Sequence, residues 1–261
     1  MTGILITARV GSSRLAEKHF IEACGKSFME WLLLRLRHVF AAEINSGSVK
    51  IVIASSEKPE NKKFEQKIKK ELAEIFYGDD DNIPFRHLQC ARKYGFDYIV
   101  SVDGDDILCS AKAAYEVYKY LNENPDTDIA ASAGLPLGMN ISGYRVSYLE
   151  KCLAGREENK IETGWGRIFV NPREKKIRMG RHDIHSPLRF TLDYDDDVRF
   201  FSKVINELGE KTISIPDEEL IKLVSEKKYY EINTHLSEEY WKNFNELKEQ
   251  EQQKEKSGVN S

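Results

Sequence analysis

Three cationic side chains follow the first apolar run of the chain. Residues 4–6, Ile-Leu-Ile, are too few for a helix and are flanked by small and polar residues, which predicts a buried strand. The loop after it carries small residues, hydroxyls and cations: Ala8, Arg9, Gly11, Ser12, Ser13, Arg14 and Lys18. Exposed backbone N–H groups and fixed positive charge bind polyphosphates, and open α/β sheets bind ligands at this edge. We therefore favour a phosphate-binding loop over an ordinary strand-to-helix connection with solvated charges.

Carboxylates cluster just past two later apolar runs, at Asp103, Asp105, Asp106 and Asp193. Grouped carboxylates repel one another unless a cation neutralises them. Mg²⁺ suits such a place, because it takes one or two carboxylates together with water and substrate phosphates. Asp105 and Asp193, nearest the strand ends, are the predicted metal ligands, whereas the acidic residues 195–197 are expected to begin a helix. A phosphate loop and two acidic corners together indicate phosphoryl or nucleotidyl transfer.

Short apolar runs alternate with helical patterns along the chain. This alternation predicts an α/β fold with a doubly wound, mostly parallel sheet. The predicted strands are residues 4–6, 49–54, 96–102, 128–131 and 188–192. The predicted helices include residues 28–40, 58–75, 85–91, 146–153, 198–208 and 217–224, and one that is capped by Ser110 and runs to residue 121.

From residue 136 the alternation gives way to a less regular segment with proline and glycine. We predict one domain over residues 1–245, with a smaller inserted lobe at about 136–187 that covers the carboxyl edge of the sheet. Residues 246–261 are nearly all Glu, Gln and Lys apart from Leu247. Such a segment buries little apolar surface, so a disordered tail or a frayed helix end is expected there.

Composition excludes several classes of protein. The chain has 261 residues, of which 41% are hydrophobic and 31% charged, as in a water-soluble domain with a sizeable core. Its net charge of -4 disfavours a nucleic-acid binder. No apolar run approaches the ~20 residues of a membrane span. The N-terminal region lacks the basic segment and long apolar stretch of an export signal, so we expect none. The four scattered cysteines favour reduced thiols and a cytoplasmic protein.

Three stretches, in order, resemble cytidylyltransferases that activate acidic sugars, including the octulosonate, sialic acid and especially spore-coat polysaccharide branches. The first is ILITARVGSSRLAEKHF followed by GKSFMEWLLLRL, where the family has a strand and then Ala-Arg-x-x-Ser-[ST]-Arg-Leu-Pro-Gly-Lys. The second is GDDDNIPFRHLQCA followed by VSVDGDDIL, and the third is LRFTLDYDDDVRFF. These matches span most of residues 3–208.

The resemblance implies a nucleotide-binding sheet like that of nucleotide-diphospho-sugar transferases, with a smaller acceptor lobe that often forms a dimer. It also implies Mg²⁺-dependent attack of an acidic acceptor on the α-phosphate of CTP, with release of pyrophosphate, for surface polysaccharides. Carried over by position, it makes Arg14 and Lys18 catalytic and Asp105 and Asp193 metal ligands. The expected substrate-binding residues are Ala8, Arg9, Gly11, Ser12, Ser13, Arg86, Asp103, Asn140, Glu162 and Arg167.

The chain departs from the family pattern in a few places. Ala16-Glu17 stands for Pro-Gly, Ile107 for a proline and Tyr194-Asp195 for Thr-Pro. The charges that the chemistry needs are kept, so we interpret these changes as altered substrate or geometry. Two alternatives remain open from the sequence. One is a glycosyltransferase of the same fold, using an Asp-x-Asp motif at residues 103–105, and the other is a non-catalytic nucleotide-binding subunit.

Overall fold

The structure, a computed structural model, describes residues 1–11, 14–156, 160–183 and 186–258, with the backbone alone for 254–258. Its strands are β1 (Thr2–Thr7), β2 (Glu22–Ala23), β3 (Lys26–Ser27), β4 (Val49–Ser56), β5 (Glu74–Gly78), β6 (Tyr98–Asp103), β7 (Ile129–Ala133), β8 (Ser142–Arg145) and β9 (Glu174–Arg178). Its α-helices are α1 (Phe28–Val39), α2 (Ala41–Asn45), α3 (Lys63–Lys67), α4 (Ile83–Tyr94), α5 (Ala111–Glu123), α6 (Val146–Leu153), α7 (Asp195–Leu208), α8 (Asp217–Glu226) and α9 (Leu236–Gly258). Short 3₁₀ helices lie at Lys18–Phe20, Pro59–Lys62, Trp165–Ile168, Gly209–Ile213 and Tyr229–Ile232.

Seven strands form one sheet in the order β5-β4-β1-β6-β8-β7-β9. The pairs β5-β4, β4-β1, β1-β6 and β7-β9 are parallel, and β8 runs antiparallel to both of its neighbours. Because β8 alone is reversed in this sheet, the carboxyl ends of β1, β4 and β6 share one edge. The predicted α/β fold with a mostly parallel sheet is confirmed.

Apolar side chains cover both faces of the sheet, as expected for parallel strands flanked by helices. Along β1, Ile4 and Ile6 pack on one face and Leu5 on the other, following the period of two in a strand. Helices α1, α5 and α7 bury their apolar stripes on the first face, and α4 and α6 cover the second. As predicted, Ser110 caps α5, accepting from the Ala113 N–H at 2.8 Å.

The helix predicted over residues 58–75 is wrong. The structure has a 3₁₀ turn, the short α3 and then β5. Phe64, Ile68 and Leu72 are buried. The apolar spacing that suggested a helix therefore reflects residues that contact the core without forming one continuous helix. Ile75 and Phe76 instead pair with Ile53 and Ala54 of β4. A strand at this edge also satisfies backbone N–H and C=O groups of β4, whereas a helix would satisfy only its own.

The strand predicted at residues 188–192 is also wrong. This segment makes one isolated bridge, between Leu137 and Arg189. Its N–H groups are bonded by loops instead: Phe190 donates to the Leu137 carbonyl at 2.8 Å and Leu192 donates to the Asp105 carbonyl at 2.9 Å. The second bond places Asp193 beside the loop after β6.

The predicted lobe contributes β8 and β9 to the main sheet, and no strand was predicted for either segment. Two outcomes were expected for the polar segment from residue 246, a disordered tail or a frayed helix end. The structure has a helix there, since α9 continues through the segment to Gly258. No helix in the described part of the chain is long and apolar enough to cross a membrane.

Candidate active site

The loop after β1 is anchored to the core at its start. The side chains of Val10 and Leu15 are buried, and the Val10 N–H donates to Asn61 Oδ1 at 2.8 Å. Asn61 is itself buried and donates to the Ser56 carbonyl and hydroxyl, so the loop is tied to the end of β4. Ser12 and Ser13, predicted to bind phosphate, lie outside the described residues.

Lys18 joins the two predicted acidic corners. Its ammonium lies 2.7 Å from Asp105 Oδ2 and 3.7 Å from Asp193 Oδ1, and it donates to the Leu192 carbonyl oxygen at 2.7 Å. The Lys18 side chain is only 6% exposed, so it is held in this position by its partners. Residues far apart in the sequence therefore converge on one point.

Gly104 allows the acidic loop after β6 to approach the end of β1. Its N–H donates to the Thr7 carbonyl oxygen at 2.8 Å. A Cβ at this position would lie 2.8 Å from Ala8 Cβ and 2.9 Å from the Thr7 oxygen, closer than real side chains come. The glycine between Asp103 and Asp105 thus positions both carboxyl groups beside the phosphate loop.

The other two cations of the loop also have carboxylate partners. Arg14 donates to Asp193 Oδ1 at 2.9 Å, and Arg9 donates to Glu162 Oε1 at 2.6 Å. Arg9 remains about half exposed, whereas Glu162 is largely covered. The Arg9 pair connects the phosphate loop to the predicted acceptor lobe.

Asp193 is held from behind by a buried arginine. Arg189 is fully buried; it donates to Asp193 Oδ2 at 2.9 Å and to both oxygens of Asp197, at 3.0 and 3.1 Å. Asp197 also accepts from the Asp193 N–H and from Asn233. This network fixes the carboxyl group of Asp193 at the start of α7.

A cleft of about 970 Å³ opens at this edge of the sheet. Of the predicted site residues, it is lined by Ala8, Arg9, Arg14, Lys18, Arg86, Asp103, Asp105, Asn140, Glu162 and Asp193. Gly11 and Arg167 are not among the lining residues. Arg167 instead donates to the Thr163 carbonyl oxygen at 2.6 Å and to Glu251 at 3.2 Å, so it braces the loop behind the cleft.

Two of the predicted binding residues use their polar groups locally. Arg86 donates through Nε and one terminal nitrogen to the Asp79 and Asp80 carbonyl oxygens. Asn140 donates to the Leu135 carbonyl oxygen at 2.8 Å and accepts from the Leu135 N–H. Both residues shape the cleft wall in this structure.

Comparison with known proteins agrees with this geometry. A model of the cytidylyltransferase family matches residues 3–159, which is more than half of the chain. The chain belongs to the cytidylyltransferase family. It is therefore a CTP-using nucleotidyltransferase, and of the three interpretations open from the sequence the family match selects this one.

Solved structures show the same fold. A cytidylyltransferase from Leptospira borgpetersenii serovar Hardjo-bovis is 23% identical with a TM-score of 0.76, covering 88% of this chain and 95% of that one. CMP:2-keto-3-deoxy-manno-octonic acid synthetase in complex with CTP has a TM-score of 0.59 at 14% identity, over 79% and 98% of the two chains. Rv0371c from Mycobacterium tuberculosis H37Rv in complex with manganese has a TM-score of 0.51 at 11% identity, over 77% and 97%.

The acidic corner of the cytidylyltransferase cleft holds carboxyl groups that shift one another's pKa. Asp103 opens on the cleft, and removal from bulk water, with Asp105 and Asp193 nearby, raises its pKa to about 6. Burial and the Asp103 charge raise the pKa of Asp106 well above its usual range. Burial also acts to raise the pKa of Asp105, but Lys18, His19 and Arg14 together outweigh it and the pKa is lowered. Because these carboxyl groups repel one another when ionised, added positive charge would stabilise their ionised forms.

Glu17, one of the departures from the cytidylyltransferase pattern, turns away from the cleft. Its backbone adopts a left-handed conformation with φ of 54°, which is favoured by the glycine usual there. Its carboxylate pairs with Lys63 and is not among the residues that line the cleft. The substitution therefore adds no carboxylate to the lining of the cleft, and its effect is on the strain of the backbone.

Sequence reasoning missed three contributors to this cytidylyltransferase site. Arg189 lies in the quoted LRFTLDYDDD stretch, and an arginine four residues before the candidate Asp193 was a usable signal. Asn61 lies inside the wrongly predicted helix, where nothing marked it. Helix α9 supplies Tyr240, Phe244 and Leu247 to the cleft, and its long polar surface concealed this apolar face.

Proposed function

We propose that this cytidylyltransferase transfers CMP from CTP to an acidic sugar and releases pyrophosphate, in the synthesis of a surface polysaccharide or glycoconjugate. The observation that carries the proposal is the convergence of Lys18, Asp105 and Asp193 on one cleft. Nucleotidyl transfer needs this combination, because its catalysis consists mainly of aligning the phosphates and stabilising their charge.

The acidic corner fits a divalent cation, and Mg²⁺ is the ion we propose. Asp105 and Asp193 share the Lys18 ammonium, and Asp103 lines the same cleft, so these three carboxyl groups lie at this corner. Among the described residues no group of three or more His, Cys, Asp or Glu is arranged to hold a metal alone. This suits Mg²⁺, which takes one or two carboxylates and completes its shell with water and phosphate oxygens. The manganese complex of the structural neighbour Rv0371c is consistent with such use.

Asp105 and Asp193 would hold the metal, which when bound stabilises charge on the reacting phosphate. Arg14 and Lys18 would contact the triphosphate from the loop side, and the burial of Lys18 strengthens its electrostatic effect. Arg9 would release Glu162 to reach the outer phosphates. Arg189 keeps Asp193 in a single orientation throughout, since all of its contacts are buried.

An acidic sugar is the proposed acceptor class. Its support is the family resemblance and the likeness of fold to CMP:2-keto-3-deoxy-manno-octonic acid synthetase, whose name gives such a product. The cleft is also large enough for two substrates, and its cations lie on one side. We further propose a cytoplasmic enzyme that forms a homodimer through the smaller lobe, by analogy with the family.

Pyrophosphate release tests the proposal. The protein is incubated with CTP, Mg²⁺ and each member of a panel of sugar acids, and parallel reactions contain ATP, GTP or UTP. We expect turnover with CTP and at least one sugar acid, and none when EDTA removes the metal. Turnover with a neutral sugar or an alcohol in place of every sugar acid would reject the acceptor class while keeping the cytidylyltransferase activity.

A further inference from the structure

One face of α9 belongs to the cleft. Tyr240, Phe244, Leu247 and Glu251 recur at intervals of three and four residues, which places them on the same side of a helix. The first three line the cleft. Leu247 is 46% exposed, so the face carries apolar surface that opens into the cleft.

The helix is anchored at both ends of this face. Glu251 is buried; it accepts from the N–H groups of Glu162 and Thr163 at 3.2 and 3.0 Å and from Arg167 at 3.2 Å. Near the other end, the Tyr240 ring lies 4.5 Å from the guanidinium carbon of Arg189. Helix α9 therefore extends from the network that holds Asp193 to the loop of the lobe that contains Glu162 and Thr163.

Phe244 also meets that loop. A Cβ on Gly164 would lie 3.5 Å from the Phe244 ring, so the glycine and the ring are close neighbours. Trp165, the next residue, lines the cleft together with Phe169, and their ring centroids are 5.9 Å apart. The end of the cleft bounded by α9 and the lobe is thus lined by aromatic and aliphatic groups.

The two sides of the cleft differ in the charged groups that they present. Among the described lining residues, the arginines and the lysine, namely Arg9, Arg14, Lys18 and Arg86, come from the first half of the chain, where three aspartates of the acidic corner also lie. The lobe and α9 contribute Glu162 and Glu174 and no arginine or lysine. Among these residues an acidic acceptor therefore finds cationic partners for its acid group only on the first side, and its far end is left against α9.

We propose that α9 determines acceptor specificity, with Phe244 and Leu247 selecting a sugar acid whose far end carries an apolar substituent, such as an acylamino group. This inference rests on the proposed acceptor class. Burying a methyl group against the two side chains favours binding, whereas a hydroxyl in the same place would lose hydrogen bonds to water without finding a partner. The two residues act on recognition and touch no reacting atom.

Equilibrium binding of matched acceptors tests this role. N-acetylneuraminate and its counterpart with a hydroxyl in place of the acetamido group are titrated into the protein with Mg²⁺ and a non-hydrolysable CTP analogue. We expect the wild type to bind the acetamido acid about 10-fold more tightly, the size of effect that a small apolar group gives in a pocket. In the double variant Phe244→Ala/Leu247→Ala the preference should fall to about 2-fold or less, with affinity for the CTP analogue unchanged.

Asn245→Ala is the matched control, because Asn245 is an exposed neighbour on α9 outside the cleft. It should keep the wild-type preference. A preference that survives in the double variant, or a wild type that does not favour the acetamido acid, would overturn the inference and leave the proposed function intact. Binding of the CTP analogue without binding of any sugar acid in the wider panel would overturn the acceptor class and this inference together.

Discussion

The two sides of the cleft are built in different ways. On the first side, Arg14, Lys18, Asp105 and Asp193 form a continuous network of ion pairs, with Arg189 buried behind it. On the second, the lobe and α9 present rings, aliphatic groups and two carboxylates. The first side is suited to align a triphosphate, which a CTP-using enzyme must do, whereas the second is suited to distinguish one acceptor from another.

This contrast separates catalysis from recognition within one cleft. A charge removed from the first side should lower the rate with any acceptor, because it changes the stabilisation of the reacting phosphate. A side chain removed from the second side should change the ranking of acceptors instead.

Asp193→Asn should lower kcat about 1,000-fold, on the order of 4 kcal/mol in the activation barrier, because the metal site loses one of two carboxylates. The measurement is pyrophosphate release with CTP and the best acceptor from the panel. Asp195→Asn is the control, since Asp195 lies two residues away and is exposed. Equal losses in the two variants would contradict a metal-binding role for Asp193.

Arg189→Met should lower the free energy of unfolding by about 3 kcal/mol, because it leaves the buried carboxylates of Asp193 and Asp197 without their partner. Urea denaturation measures the change. Arg199→Met removes an exposed pair with Asp196 and should cost less than about 1 kcal/mol. A similar small cost for both variants would show that the network behind Asp193 is not a structural support.

Acid should destabilise the folded protein through His87, whose ring contacts the Thr7 hydroxyl on β1 and the Tyr144 hydroxyl on β8. Burial, and then the charge of Arg86, lower the pKa of His87 from 6.5 to about 3. In the unfolded chain the His87 imidazole therefore binds a proton below about pH 6.5, whereas in the folded protein it binds one only near pH 3. Stability should fall across this window, by roughly 2 to 3 kcal/mol between pH 7 and 4 from this residue.

Denaturation curves at several pH values, compared with those of His87→Gln, check this expectation. The variant should lose stability less steeply with acid, while His38→Gln, at an exposed position, should match the wild type. A slope that is the same in all three proteins would show that His87 does not resist protonation in the fold.

Glu17→Gly should raise the free energy of unfolding by about 1 kcal/mol, because glycine adopts the left-handed backbone at this position without strain. CTP affinity should be unchanged, since the Glu17 carboxylate pairs with Lys63 outside the cleft. Lys63→Ala controls for loss of that exposed pair, which should be worth less than about 1 kcal/mol. A large change in CTP affinity in Glu17→Gly would place the side chain near the phosphates after all.

The first side of the cleft could be predicted from the sequence because its residues sit beside strong local signals. Lys18 and Asp105 follow β1 and β6, whose apolar runs identify them as buried strands. Asp193 was also predicted, although the strand expected before it is an extended loop in the structure. An extended buried segment has the same apolar pattern whether loops or strands satisfy its N–H groups.

On the second side, the family resemblance indicated Asn140 and Glu162, both of which line the cleft, but the contribution of α9 was not predicted. Phe244 and Leu247 lie in a segment dominated by charged and amide side chains. Their role depends on α9 folding back over the lobe and on Glu251 finding the N–H groups of Glu162 and Thr163. Contacts between residues so far apart in the chain cannot be predicted from the spacing of residues within one segment.

A crystal structure with Mn²⁺ and a non-hydrolysable CTP analogue would locate both the metal and the triphosphate in the cleft. We expect an anomalous manganese peak between the carboxylates of Asp105 and Asp193, with the triphosphate against Arg14 and Lys18. A peak bound by neither aspartate, or a triphosphate on the α9 side of the cleft, would contradict this expectation.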